Sequence, residues 1–153
     1  MKALELKIPP LVLVVLFALV MWGLAQWLPP LMQRGMWHIV LAGIFAIGGM
    51  AVALAGVLAF RRANTTVDPR VPQQSSSLVI RGIYRYSRNP MYVGFLLLLT
   101  ALACYLMNAA AFALLPLFVL YMNRFQIAPE ERHLLQKFGT AYQAYCEKVR
   151  RWL

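Results

Sequence analysis

The chain has 153 residues, 61% of them hydrophobic and only 13% charged, with a formal net charge of +10. A water-soluble domain of this length needs more charge to cover its surface, so an ordinary soluble globule is excluded and lipid is the second solvent. The basic residues lie between and after the apolar runs, where they mark cytosolic loops and meet anionic headgroups, which argues against nucleic-acid binding. Cys104, Cys146, His38 and His133 are too few and too scattered for a disulfide framework or a metal centre.

Four apolar runs follow in chain order. The first covers 8–28 and stops at Pro29-Pro30, which cannot continue a helix. Lys2 and Lys7 ahead of it, with Gly23-Leu24-Ala25 within it, allow a signal-peptide reading, but the run is longer than a usual signal core and is expected to stay as a span. The second, 36–60, carries Gly43, Gly48, Gly49 and Gly56, small residues that let helices approach closely, and ends at Arg61-Arg62. The third and fourth, 91–107 and 109–127, are short spans joined at Asn108 and read as a tight hairpin, with Pro116 expected to kink the last. The expected fold is all-α: one polytopic domain over 1–153, with four transmembrane helices and short C-terminal cytosolic helices.

Orientation follows from the basic residues. Arg61, Arg62, Arg70, Arg81, Arg85 and Arg88 fall in the middle loop, and Arg132, Lys137, Lys148, Arg150 and Arg151 follow the last span, whereas the opposite loops offer only Arg34. Both termini and segments 61–90 and 128–153 are therefore expected on the cytosolic face. The small size implies a bacterial inner membrane.

Two polar segments are rich enough to carry chemistry. The first, 78–94, places three tyrosines and three arginines before a span, and Asn89-Pro90 sets up a helix start. Gly94 would let a backbone or ligand come close, and helix-start N–H groups favour a carboxylate. An interfacial anchor with an aromatic belt explains the same residues. In the second, Pro129-Glu130-Glu131 opens a helix with acids that complement its dipole. Leu134, Leu135 and Phe138 follow at helical spacing. Gly139 ends that helix, and a second one carries Tyr142, Tyr145 and Val149. Helix capping explains the two acids; a ligand with a cationic centre would give them a further purpose.

Together these segments resemble the isoprenylcysteine carboxyl methyltransferase and phospholipid methyltransferase superfamily. Its first motif, Arg-His-Pro-x-Tyr-x-Gly, is matched by Arg88-Asn89-Pro90-Met91-Tyr92-Val93-Gly94. Its second, Glu-Glu-x-x-Leu-x-x-x-Phe-Gly-x-x-Tyr-x-x-Tyr, is matched from Glu130 to Tyr145 through Leu134, Phe138, Gly139 and Tyr142. The resemblance covers roughly residues 78–153 and implies a membrane-embedded methyltransferase using S-adenosyl-L-methionine on a lipophilic small-molecule or lipid acceptor. By the same resemblance Leu78, Val79, Tyr84, Arg88, Asn89, Pro90, Tyr92 and Glu130 would hold the cofactor. Arg88, Glu130 and Arg124 would be the catalytic set. Arg88 and helix-start N–H groups suit the cofactor carboxylate, Glu130 its ammonium, and Tyr84 or Tyr92 its adenine or sulfonium.

Departures from the pattern bear on the substrate. Asn89 stands where the family has histidine and cannot transfer a proton near neutrality. Gln126 stands where the prenyl-substrate enzymes carry an arginine, and Arg124 is the nearest replacement. Phospholipid N-methylation and a non-enzymatic membrane scaffold are the alternative readings. A sterol-reductase relationship is a further one. Transport is disfavoured, because the spans hold essentially no ionisable group except Arg124 near one end. Asn64, Thr65 and Thr66 are additional pocket candidates.

Overall fold

The computed structural model describes residues 5–33, 35–62 and 78–153. Asn64, Thr65 and Thr66, like Lys2, Arg34 and Arg70, lie outside the described residues. Among these residues the fold is all helical. Helix α1 (Pro10–Trp27) is followed by α2 (Met36–Arg62), a 3₁₀ turn (Gly82–Arg85), α3 (Pro90–Leu106), α4 (Ala109–Tyr121), a π-helical stretch (Met122–Ile127) and α5 (Ala128–Lys148). Pro10 and Pro90 occupy first helical turns, where a missing N–H costs nothing.

Three helical stretches among the described residues are long and apolar enough to cross a membrane: α1, α2 and the continuous run from α4 through α5. Helix α3 is apolar and 17 residues long, about 26 Å at 1.5 Å per residue, so it crosses a hydrocarbon layer of about 30 Å only where that layer thins. The outward faces are apolar: Ile47 is 75% exposed and Leu11, Leu19 and Ile44 are each 63% exposed. Exposed aliphatic side chains in such numbers are stable facing lipid and unstable facing water.

The closest helix pair is α2 with α3. A Cβ on Gly49 would lie 2.8 Å from the Gly94 carbonyl oxygen, and one on Gly94 would lie 2.7 Å from that of Gly49. A Cβ on Gly56 would meet the Met91 side chain at 2.6 Å, whereas Gly43 and Gly48 have nothing within 4 Å. Close approach thus uses Gly49 and Gly56, not all four glycines of α2. Of the two neighbours expected for Gly94, backbone or ligand, it is the backbone of α2 that fills the space beside it. Helix α1 packs on the other side through Leu13 and Met21, and Phe17 meets Phe118 edge-on at 5.4 Å between centroids.

The fourth run does not stop at Ile127 as its hydrophobicity implies. Pro116 sits inside α4, and the helix continues through the π stretch into α5. Pro129 has no N–H to offer the carbonyl of Phe125 four residues back. A π stretch relaxes the ladder there, and the Leu6 N–H donates to that carbonyl at 3.0 Å. Gly139, at φ 50° and ψ −124°, breaks the geometry inside α5 and divides it where the sequence places a helix end. At the opposite end of the bundle Asn108 caps α4 by accepting from the Ala110 N–H, while its amide donates to the Leu28 and Pro29 carbonyls.

Candidate active site

The first motif enters α3 at one end of the bundle. Ser87 Oγ accepts from the Asn89 N–H at 3.0 Å, and Asn89 caps no N–H of α3 with its side chain. Its amide instead donates 2.9 Å to the Arg151 carbonyl, and the Arg88 N–H donates 3.0 Å to that of Arg150. The C-terminal tail is thereby laid against the motif. Trp152 pins it further, its indole N–H donating to Asn123 Oδ1 at 2.9 Å while the ring joins the core.

The two adjacent acids of α5 are held differently. Glu131 lies 3.0 Å from the Arg88 guanidinium and accepts a two-pronged hydrogen bond from Arg151, at 3.1 and 2.5 Å. Two cations on one carboxylate fix its place, and its hydrogen bond raises the pKa of Arg151. Glu130 accepts from the buried Tyr92 phenol at 2.6 Å and has no cationic partner among the described residues. Burial, opposed by the Tyr92 hydrogen bond and reinforced by the Glu131 charge, pushes its carboxyl up to about 8. At neutral pH this leaves a half-buried acid that a cation would ionise.

Beside the acids stands a tyrosine cluster. Tyr84, Tyr142 and Tyr145 are each less than 10% exposed, and the Tyr145 hydroxyl donates 2.7 Å to the Tyr84 carbonyl. Burial raises the Tyr84 phenol well above its ordinary range, with smaller contributions from Tyr145 and the Glu130 charge. Burial raises Tyr142 too, reinforced by Glu131, and the Arg88 charge partly offsets the rise. Phe60 meets Tyr84 edge-on at 5.3 Å, which closes the cluster against α2.

The structure therefore brings Tyr84, Arg88, Asn89, Pro90, Tyr92 and Glu130 to one end of the bundle. Leu78 packs on Tyr142, Tyr145 and Val149. Together with Val79 it also lines a cleft of about 720 Å³, bounded by Leu58, Arg62 and Ile83 on α2 and the 3₁₀ turn. Arg124 stands apart from this group, its guanidinium on Glu5 at 3.3 Å and over the Phe125 ring. Arg88 Nε is buried with no hydrogen-bond partner among the described residues. Sequence reasoning missed the tail: Arg150 and Arg151 entered only as cytosolic-face charges, and only the fold shows their carbonyls bonded to the first motif. Among the described residues no group of histidine, cysteine or acid side chains could hold a metal.

Residues 37–141 match the phospholipid methyltransferase family. The chain belongs to that family, and it is an integral membrane protein of methyltransferase class. A 63-residue stretch is 48% identical to an uncharacterized protein of Haemophilus influenzae, covering 41% of this chain and all of that relative. No solved structure matches the chain.

Proposed function

We propose that this chain transfers a methyl group from S-adenosyl-L-methionine to a lipophilic acceptor at the membrane surface, in the manner of the isoprenylcysteine carboxyl methyltransferases. The observation that carries the reading is the division of labour between the two acids: Glu131 is committed to Arg88 and Arg151, while among the described residues Glu130 has Tyr92 and no cation. A structural pair would be neutralised together; a half-buried acid left without a cation is matched to a cationic ligand.

The residues fit this cofactor. Glu130 would take the ammonium, the unpartnered Nε of Arg88 would meet the carboxylate, and the faces of Tyr84 and Tyr92 suit adenine or a sulfonium. Leu78, Val79, Asn89 and Pro90 would complete the enclosure. The cofactor, when bound, supplies an electrophilic methyl carried on a sulfonium. The protein's part is alignment and exclusion of water. Glu130 gives up its proton when a cation arrives, and Tyr92 holds the resulting carboxylate in place. A carboxylate or thiolate acceptor needs no general base, and none is assigned. The motif end and both termini face the cytosol, in keeping with the basic residues gathered there, and the membrane is a bacterial inner membrane.

Calorimetric binding of S-adenosylhomocysteine to the detergent-purified protein tests the reading. Saturable binding that Glu130→Ala and Arg88→Ala both abolish, in samples that remain folded, is expected. A folded wild-type protein that binds none would overturn it.

A further inference from the structure

Residues 150–152 follow α5 and join three separate parts of the chain. The Arg88 N–H donates to the Arg150 carbonyl at 3.0 Å and the Asn89 amide to the Arg151 carbonyl at 2.9 Å, so the tail holds the segment ahead of α3. The Trp152 indole N–H donates to Asn123 Oδ1 at 2.9 Å and ties the tail to the π stretch. Between these anchors the Arg151 side chain reaches the start of α5 and grips both oxygens of Glu131, at 3.1 and 2.5 Å. Bonds on either side of Arg151 hold its backbone where that grip can form.

The same carboxylate also meets Arg88, whose terminal nitrogen lies 3.0 Å from Glu131 Oε1. Two guanidiniums on one carboxylate leave one positive charge in surplus. Burial assigns the surplus to Arg88: its side chain is 14% exposed against 39% for Arg151, and its Nε is buried with no partner among the described residues. Arg151 makes the two-pronged contact, the stronger geometry between a guanidinium and a carboxylate. Glu131 so held needs Arg88 less. Without Arg151, Glu131 would be a largely buried acid that has Arg88 as its cation, and it would compete for Arg88 with any arriving anion.

We propose that Arg151 is a positioning residue: by neutralising Glu131 it keeps the Arg88 guanidinium available for the carboxylate of the bound cofactor. Arg151 acts through Glu131 and is assigned no contact with the ligand. The inference rests on the methyltransferase reading and adds that the tail, which lies beyond both sequence motifs and beyond the matched residues 37–141, sets the affinity of the site.

Calorimetric titration of the detergent-purified protein tests the proposal, with S-adenosylhomocysteine and its decarboxylated analogue, which keeps the ammonium, as the two probes. Arg151→Gln is expected to weaken S-adenosylhomocysteine about ten-fold, the scale of one charge-assisted hydrogen bond, and to leave the decarboxylated analogue unchanged. Adding Glu131→Gln to Arg151→Gln is expected to restore the affinity, because the competing carboxylate is gone. Loss of a merely structural strut would instead be deepened by removing its other half. Equal weakening of both probes by Arg151→Gln, or no weakening of either, would overturn the proposal, as would a double variant no tighter than Arg151→Gln. Should Arg151→Gln not fold, Arg151→Lys keeps the charge without the planar fork, and the same two comparisons decide, with a smaller shift expected. Wild-type protein that binds neither probe would overturn the methyltransferase reading and this inference with it. Wild-type binding of S-adenosylhomocysteine that Arg151→Gln leaves untouched would overturn this inference alone.

Discussion

Two asparagines stand at helix starts at opposite ends of the bundle, and they are used in opposite ways. Asn108 caps α4 and ties it to the loop after α1, so every polar atom of its amide works for the fold. Asn89 leaves the start of α3 uncapped by its side chain and turns its amide to the C-terminal tail. The Asn108 amide is fully used; around Asn89 lie, among the described residues, an acid without a cation and a buried Arg88 Nε without an acceptor. Charged groups left incompletely satisfied at the Asn89 end are what a bound ligand would complete, although buried unpartnered atoms also occur at His38, Tyr121 and Gln126.

The contrast can be broken most sharply at Glu130. Glu130→Ala is expected to weaken S-adenosylhomocysteine binding about 100-fold or more, the scale for removing one partner of a partly buried charge pair. Retained affinity would mean that the unsatisfied end is not the cofactor site. Next in size is the dependence on pH. With its carboxyl raised from 4.5 to about 8, Glu130 stays protonated in the folded protein while ionised in the unfolded chain. The unfolded chain then binds fewer protons, so stability falls as pH rises: the contribution is whole below 4.5 and gone above about 8. Thermal melts of the empty protein between pH 5 and pH 9 should therefore descend, and Glu130→Gln should flatten the slope. A rising wild-type curve would contradict the assignment.

Asn108→Ala should act on the other end alone. It removes a cap and leaves two carbonyls without their donor, a loss of about 1–3 kcal/mol of stability, with S-adenosylhomocysteine affinity unchanged. A binding defect there would erase the distinction between the ends. The smallest effect expected is at Asn89→Ala, about 1 kcal/mol or less. It should appear mainly in binding, through loosened contact with the tail, and be matched by removal of Arg150 to Leu153. An effect on melting without one on binding would make Asn89 a second Asn108.

Much of this was legible in one dimension. Apolar runs broken by Pro29-Pro30, Arg61-Arg62 and Asn108 announce helices in lipid, because only helices and closed barrels satisfy backbone groups there. Pro90 and Gly139 act locally and are visible in sequence for that reason. The ends of the fourth run were not, since Pro129 reads as a start signal while the π stretch and the Leu6 N–H let the helix run through it. Gly94 was legible as a place of close approach, but whether backbone or ligand fills its space was not, since the filling atoms come from α2, 45 positions earlier at Gly49.

What the sequence by itself determined is the class: four apolar helices, and a family signature in two segments whose residue types suit a charged cofactor. Which acid is paired with cations and which with a phenol was decided by the tertiary structure. Glu130 and Glu131 are neighbours of identical chemistry, and only the arrival of Arg88 from before α3 and Arg151 from the tail distinguishes them. The sequence carries the local preferences of each side chain, but its charge state and availability depend on groups that folding brings within a few ångströms.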